Sequence, residues 1–511
     1  MTSLFGRDTI CAVVAAPKAR NMMRQLAEAL DVTSTVELRL DWLGSRPEIL
    51  KFLTLLGEFR KVVPRLSRAT LIATCRRRAS GGRFIGGWER ELEILKLAAR
   101  SGCEWVDLDV ETAVKVYPND IRRRLAPASC MISHHDFSKT PKDLGAVLRQ
   151  LERMQGNALK IATHAKSLRD AIRVMDSTRR RRNLVAVPMG EIGLPARVLA
   201  LRAGSALAYA PVELATAPGQ VPLEEMKNLY RADRLDPRAR VYGVIGDPVG
   251  HSLSPLMQNA GFQARQVNAV YLPFLVRNLR DFLAAIKPLG IAGFSVTLPH
   301  KERILRYLDG CDPLAAAIGA VNTVVVRGGG RLYGYNTDYV GVLRALERRM
   351  ALAGSRVLLF GAGGAARAVA FALAQGGAAV CVCARRPAAA ASLARAVRGE
   401  AVPRTRLRRE YFDAIVNATP VGMHPRERQS PLKPSELNCR LVFDLIYRPR
   451  ETRLLQLAAR RGIETVSGLE MFVAQGTAQW EIWTGERAPV AVMRRAVEAT
   501  LERDETSRSH R

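Results

Sequence analysis

Eight short apolar runs, each followed by an amphipathic stretch, recur at roughly 22–35-residue spacing between Ile10 and Gln220. They are ICAVVAA (10–16), TVELRLD (35–41), TLIATCR (70–76), WVDLDV (105–110), CMISHHD (130–136), ALKIAT (158–163), LVAVPMG (184–190) and ALAYAP (206–211). Eight strands, each returned by a crossover helix, predict an α/β fold closed into a (β/α)8 TIM barrel. Short apolar runs are ambiguous, so an arrangement with fewer paired strands stays open.

Barrels do their chemistry at the carboxyl ends of strands, and here those ends are polar. Glu37 and Arg39, two apart, share a strand face. Arg76 ends the third run, Asp107 lies in the fourth, His135 ends the fifth, and Lys160 interrupts the apolar sixth. Arg197 follows the seventh run, and Thr216 and Gln220, in Thr-Ala-Pro-Gly-Gln, follow the eighth. Singly, each has a plain explanation: a strand lysine snorkels to a rim, and a Glu/Arg pair is usually structural. Convergence on one barrel mouth is more specific. An amine in an apolar interior is expected to have a depressed pKa and to attack carbonyls, with a histidine moving protons and arginines holding an anion.

The chain has 511 residues, 48% hydrophobic and 25% charged, enough for two or three domains. No apolar run reaches the ~18 residues of a membrane span, and the first residues read as a core strand with no signal peptide. Eight scattered cysteines without metal spacing suit free thiols in the cytoplasm, and no metal is expected. A net charge of +30 raises the question of nucleic acid. The arginines are dispersed, without an aromatic-interleaved stripe, so a surface suited to anionic small molecules is the reading preferred.

The motifs Val36 to Asp41, Thr74 to Arg76, His134 to Phe137, Leu159 to Ala162, Met189 to Arg197 and Thr216 to Gln220 resemble the type I 3-dehydroquinate dehydratases. The resemblance implies that Lys160 forms an imine with the substrate ketone and that His135 moves protons. It gives the substrate carboxylate to Arg197 and other substrate contacts to Glu37, Arg39, Arg76, Thr216 and Gln220. Ser80 stands where that family commonly has Glu, Thr216 where it has Ser, and Ala196 where Ser often precedes the arginine.

A charged connector follows, and from Tyr242 a second α/β part begins, with apolar runs at 241–246, 269–274, 291–297 and 321–326. Polar knots punctuate it at Ser252–Ser254, Thr297–Lys301, Asn322-Thr323 and Asn336–Asp338, each of which alone is ordinary turn chemistry. Arg356 to Arg367 then reads strand, glycine turn, helix, with Gly361, Gly363 and Ala366 in the Gly-x-Gly-x-x-Ala dinucleotide pattern. The next strand ends in Arg385-Arg386 in place of an acidic residue, which favours NADP over NAD.

These knots resemble shikimate dehydrogenase over 241–495: a two-lobed unit with an NADP-binding Rossmann domain. That resemblance implies Lys301 and Asp338 as catalytic, and Ser252, Ser254, Thr297, Asn322 and Gln475 as substrate-binding. Gly361, Gly363, Gly364, Ala365, Arg385, Arg386, Thr419 and Tyr447 are the implied cofactor contacts. The two halves together resemble the dehydratase–dehydrogenase fusions of the shikimate pathway, acting on 3-dehydroquinate, 3-dehydroshikimate and shikimate. The expected organisation is a barrel over 1–225, a connector over 226–240 and a substrate lobe over 241–340 to which 470–503 returns. A Rossmann lobe over 341–469 and a disordered tail over 504–511 complete it. Two rivals are a regulator built from degenerate copies of these domains, which should have lost its catalytic groups, and an enzyme with one working half or one acting on quinate. Oligomeric state is not legible.

Overall fold

The computed structural model describes residues 4–116, 118–213, 219–423 and 425–509. Contacts group the chain into two compact units, 1–240 with 268–290, and 241–267 with 291–511.

In the first unit the eight runs become parallel strands β1 (Ile10–Val14), β2 (Thr35–Arg39), β3 (Thr70–Thr74), β4 (Trp105–Asp109), β5 (Ser129–Asp136), β6 (Ala158–His164), β7 (Leu184–Met189) and β8 (Ala208–Pro211). They lie in the order β7-β6-β5-β4-β3-β2-β1-β8. At the remaining seam β7 and β8 form no ladder among the described residues. There Ala206 N donates to Leu184 O at 2.9 Å, and Ala186 N donates to Ser205 Oγ at 3.0 Å. The amphipathic stretches are the crossover helices, several begun by a side-chain cap. Ser45 accepts from Glu48 N, Asp143 from Ala146 N, and Ser167 from Asp170 N, each meeting a backbone donor that a helix start leaves unpaired.

Period-two alternation explains how this barrel carries both a core and a site. Cys11, Val13, Ile72, Trp105, Met131, Ala158 and Val185 pack together in the interior. Glu37, Arg39, Thr74, Asp107, Asp109, Ser133, His135 and Lys160 lie on these strands from their middles toward their carboxyl ends, Lys160 being the earliest placed. Where a strand supplies both sets they share parity, as in Trp105, Asp107 and Asp109 or Ala158, Lys160 and Ala162. The same face that is apolar at one end of the barrel is therefore charged at the other.

The connector is a π-helical turn, Glu225–Leu229, and a 3-10 turn, Ala232–Arg234. In the second unit, strands Arg240–Gly246, Ile291–Val296, Thr323–Arg327, Arg331–Tyr335 and Gly310–Cys311 lie side by side in that order. The pair Thr323–Arg327 and Arg331–Tyr335 is an antiparallel hairpin. Its turn, Gly328–Gly330, needs positive φ at Gly329 and Gly330, at 76° and 81°.

A further sheet is all parallel: Glu400–Ala401, Ala379–Cys383, Arg356–Phe360, Phe412–Asn417, Cys439–Asp444 and Glu464–Val466, in that spatial order. In chain order this is 3-2-1-4-5-6, the doubly wound arrangement, whose ligands lie beyond the carboxyl ends where the order reverses. Apolar clusters cover both of its faces, one around Leu359, Val369 and Phe443 and the other around Leu358, Phe412 and Leu454. The last helix is Val490–Ser509. Within it Leu501 is buried, and Arg448 lies 2.7 Å from Asp504. No helix among the described residues is long and apolar enough to cross a membrane.

Candidate active sites

Strand geometry brings the barrel's polar residues to one pocket, lined by Glu37, Arg39, Arg76, His135, Lys160, Arg197 and Gln220 together with Tyr209 and Phe137. Thr216 lies outside the described residues. Lys160 is less isolated than its sequence context suggested. Its Nζ is 2.7 Å from Asp107 Oδ2 and 3.3 Å from Glu37 Oε1, and it lies 4.2 Å from the centre of the Tyr209 ring. The apolar run hid these partners because they come from β2, β4 and β8.

Asp107 ties the cluster together. Its Oδ1 accepts from Arg76 Nη2 at 2.8 Å and Ser133 Oγ at 2.5 Å, while Glu37 Oε1 accepts from Thr74 Oγ1 at 2.8 Å. Burial works to raise the Asp107 pKa, but Lys160, Arg76 and His135 outweigh it and hold the carboxyl well below its usual range. Arg39 makes a fork-shaped pair with Asp41, at 2.9 and 2.8 Å.

His135 is also buried. Burial first, then the Arg76 and Lys160 charges, push its pKa down to about 3, so the imidazole is neutral at any working pH. Asp109 Oδ2 lies 3.4 Å from Nδ1 but off the line of a hydrogen bond, and Nδ1 is without a partner. Phe137 stacks near the imidazole, with centroids 6.0 Å apart. The loop after β3 rests on Phe137: a Cβ on Gly81 (φ 81°) would fall 2.1 Å from its ring. Ser80 Oγ in that loop donates to Glu111 Oε2 at 3.0 Å.

Arg197 stands apart from this compensated cluster. It is 2% exposed and spends one nitrogen on Pro188 O at 3.4 Å, and its Nε and Nη1 have no hydrogen-bond partner. Burial alone lowers its pKa to about 10. A buried guanidinium with two idle donors is expensive unless something anionic completes it.

In the second unit Lys301 Nζ is 2.5 Å from Asp338 Oδ2. Asn322 Nδ2 donates to Asp338 Oδ1 at 2.8 Å, and Asn322 is itself fixed by Thr323, Thr337 and, through its carbonyl, Gln479. Lys301 O accepts from Val321 N at 2.9 Å, which joins the lysine loop to the asparagine. Ser252 Oγ accepts from Ser254 N at 3.2 Å and also bonds Tyr447, whose ring stacks on Phe472 at 4.2 Å. Gln475 is buried one turn beyond Phe472, its amide donating to Phe472 O, and it packs beside Gly341. Thr297 O accepts from His300 N within the lysine loop. Lys301, Asp338 and Asn322 are thus in direct contact, and Ser252 is joined to Tyr447. Ser254 and Thr297 make no described side-chain contact with the Lys301–Asp338 pair.

The dinucleotide pattern forms a turn at the carboxyl end of Arg356–Phe360, with the helix Gly364–Gln375 starting directly after it. Gly361 needs its φ of 126°, and a side chain there would press on Ala418 and Thr419. A Cβ on Gly363 would meet nothing within 4 Å, leaving the helix start, with Ala365 in its first turn, open to a phosphate. Arg385 and Arg386 are exposed, and among the described residues neither guanidinium is held in an ion pair. A cradle without a Cβ and two exposed guanidiniums fit a phosphorylated dinucleotide.

Comparisons with known proteins agree with both halves. Residues 10–237 match the type I 3-dehydroquinase family, 244–324 the shikimate dehydrogenase substrate binding domain, and 468–498 the shikimate 5'-dehydrogenase C-terminal domain. The chloroplastic bifunctional 3-dehydroquinate dehydratase/shikimate dehydrogenase of Arabidopsis thaliana is 34% identical over 505 residues, 94% of this chain and 82% of the relative. The chain belongs to this bifunctional family. It carries a type I dehydroquinase, a lyase, followed by a shikimate dehydrogenase, an oxidoreductase, and both are shikimate-pathway units. The NADP(+) shikimate dehydrogenase of Moorella thermoacetica is 47% identical over 273 residues, 50% of this chain and 92% of the relative. A crystal structure of a shikimate dehydrogenase in complex with NADP+ superposes with a TM-score of 0.50 at 38% identity, covering 52% of this chain and 97% of that one.

Sequence reasoning missed Asp109, Ser133 and Asp41 in the barrel and Thr337 and Gln479 in the second unit. Strand parity was the available signal for the first two, since Asp109 shares a face with Asp107, and Ser133 with His135.

Proposed function

We propose that the barrel dehydrates 3-dehydroquinate to 3-dehydroshikimate and that the second unit reduces this ketone to shikimate. In the first reaction Lys160 gives up the proton that pairs it with Asp107, its amine attacks the ketone carbon, and water leaves as the imine forms. The imine draws electrons, so the proton on the adjacent carbon becomes removable. Neutral His135 takes that proton and returns it to the departing hydroxyl, which leaves as water. Hydrolysis of the imine then frees the product and Lys160. Arg197 binds the substrate carboxylate, while Arg39, Arg76, Glu37, Gln220 and Thr216 hold the remaining polar groups. The observation that carries the reading is the pair of idle donors on Arg197, in the same pocket as Lys160 and His135.

In the second reaction NADPH, when bound, supplies the hydride. Gly361, Gly363, Gly364 and Ala365 would hold its pyrophosphate, Arg385 and Arg386 its 2′-phosphate, and Thr419 and Tyr447 would line the reacting end. Lys301 delivers the proton to the carbonyl oxygen, and Asp338 keeps that ammonium in place. Asn322, Ser252, Ser254, Thr297 and Gln475 orient the substrate. The free cysteines, most of them buried, support a reducing compartment such as the cytoplasm.

Steady-state assay of both activities in the purified chain tests this, with borohydride added during turnover. The expected result is ligand fixed to the peptide containing Lys160, and modification elsewhere would count against the imine. Replacing Arg385 and Arg386 with Ala should raise KM for NADPH far more than for NADH. An equal change for both cofactors would remove these arginines from 2′-phosphate recognition.

A further inference from the structure

Asp444 is a fully buried carboxylate that neither proposed reaction uses. It ends the strand Cys439–Asp444, beside the end of Phe412–Asn417, with Asn417 directly opposite in register. Its Oδ1 accepts from Asn417 Nδ2 at 2.9 Å and Ile446 N at 3.1 Å, and its Oδ2 accepts from Thr452 Oγ1 at 2.6 Å. No cation pairs with it among the described residues.

Asn417 is equally buried, and its amide has only two orientations to choose from. With Nδ2 committed to Asp444, Oδ1 points the other way and accepts from Thr419 N at 3.0 Å and Thr419 Oγ1 at 2.7 Å. Thr419 Oγ1 in turn accepts from Val421 N at 3.3 Å. The turn held this way abuts the glycine turn, since a Cβ on Gly361 would lie 3.0 Å from Ala418 O and 3.2 Å from Thr419 Cγ2. On the other side, Ile446 N ties Asp444 to the residue preceding Tyr447.

We infer that Asp444 is a positioning residue for the cofactor: by accepting from Asn417 and Ile446 it orients the Asn417 amide and fixes the Thr419 turn and the approach to Tyr447. An acceptor at this point is essential. Without it the Asn417 amide is free to turn its nitrogen toward Thr419, whose N–H would then lose its acceptor. The negative charge itself is not needed. An asparagine at position 444 can present Oδ1 to Asn417 and Ile446 while its Nδ2 donates to Thr452 Oγ1.

This inference rests on the second unit being an NADPH-dependent reductase, so NADPH affinity is measured directly by fluorescence titration as well as through KM. Absence of NADPH binding or reductase activity in the unaltered chain would sink the reductase reading and the inference with it. Given that binding, Asp444→Ala should weaken NADPH about 5- to 100-fold, by the loss of one to two buried hydrogen bonds, with KM for the ketone substrate little changed. Asp444→Asn should restore NADPH affinity to within about 3-fold, because the acceptor geometry is kept. Dehydratase activity, held by the other unit, should be unaltered in both. Unchanged NADPH affinity in Asp444→Ala overturns the inference. So does a loss shared equally by both substrates that Asn does not rescue, which would mark a merely structural residue. Should Asp444→Ala fail to fold, Asn417→Ala carries the test: the same selective loss supports the relay, and wild-type affinity overturns it.

Discussion

The two candidate sites handle charge in opposite ways. In the barrel, Lys160, Asp107, Arg76, Asp109 and His135 have side chains no more than 5% exposed and set opposite charges beside one another before any substrate arrives. Arg76 Nε and His135 Nδ1 lack a hydrogen-bond partner, and Arg197 has two such nitrogens and no carboxylate paired with it among the described residues. In the dehydrogenase unit the charge proposed as catalytic is a Lys301–Asp338 pair, its lysine 16% exposed, and the arginines proposed for the cofactor lie on the surface. A nearly closed barrel has to compensate the charges it buries, whereas a site beyond the ends of an open sheet can leave them to solvent and ligand. A preassembled network should therefore be fragile to the loss of one member, and an open site tolerant.

The largest expected effect breaks the comparison at its strongest point. Lys160→Ala removes the nucleophile and strands the Asp107 and Glu37 carboxylates in the interior. Dehydration should fall by roughly four orders of magnitude or more. The barrel should also lose about 3–5 kcal/mol, the usual cost of breaking a buried pair. Reduction of supplied 3-dehydroshikimate should be unchanged, and loss of both activities in a folded protein would contradict two independent sites. Next in size, Lys301→Ala or Asp338→Ala should lower reduction by about 10²–10⁴-fold, and Lys301→Ala with a smaller stability change, since Asn322 still bonds Asp338. The double variant should cost little more than the worse single one, because the two act as a unit. Strictly additive losses would show that they act separately.

What the sequence made legible follows the same division. Each barrel strand is announced by its own apolar run, and the polar residues at the strand ends are visible as interruptions of those runs. The carboxylates that compensate Lys160 were harder to see, because pairing across β2, β4 and β6 depends on register, which no single run encodes. In the second unit the glycine turn and its arginines were plain. The strand Arg331–Tyr335 was not, because a half-exposed hairpin strand carries little apolar signal. Strands as short as Gly310–Cys311 and Glu400–Ala401 carry none.

A middle-sized effect sharpens the contrast through Arg197. Its guanidinium is buried without compensation, so Arg197→Met should not destabilise the ligand-free barrel and is expected to stabilise it slightly. The same change removes the group assigned to the substrate carboxylate, so KM for 3-dehydroquinate should rise about 10- to 100-fold, the worth of a charge-assisted hydrogen bond. Stability and affinity moving in opposite directions would mark a residue kept for its ligand. A large loss of stability with KM unchanged would make Arg197 structural.

The smallest expected effect is on pH dependence, and it follows from His135. An ordinary histidine base would impose an acid limb on dehydration near pH 6.5. Burial and the Arg76 and Lys160 charges bring His135 down to about 3, so it stays neutral and able to accept a proton well below that. Its contribution to the dehydratase rate should be flat from about pH 8 to 5.5, and a limb near 6.5 abolished with His135 would refute the assignment. Stability carries the same sign. The folded pKa is depressed, so the folded barrel binds fewer protons than the unfolded chain. His135 therefore contributes stability that is whole above about pH 6.5 and is lost as pH falls toward 3. Glu91, raised to about 7 mainly by burial, works in the opposite sense in the same barrel, so the total pH profile does not isolate the histidine. The difference between the unaltered chain and His135→Ala does, because Glu91 is common to both. That difference should narrow steadily between pH 7 and pH 5, and one that widened would place a protonated imidazole in the barrel.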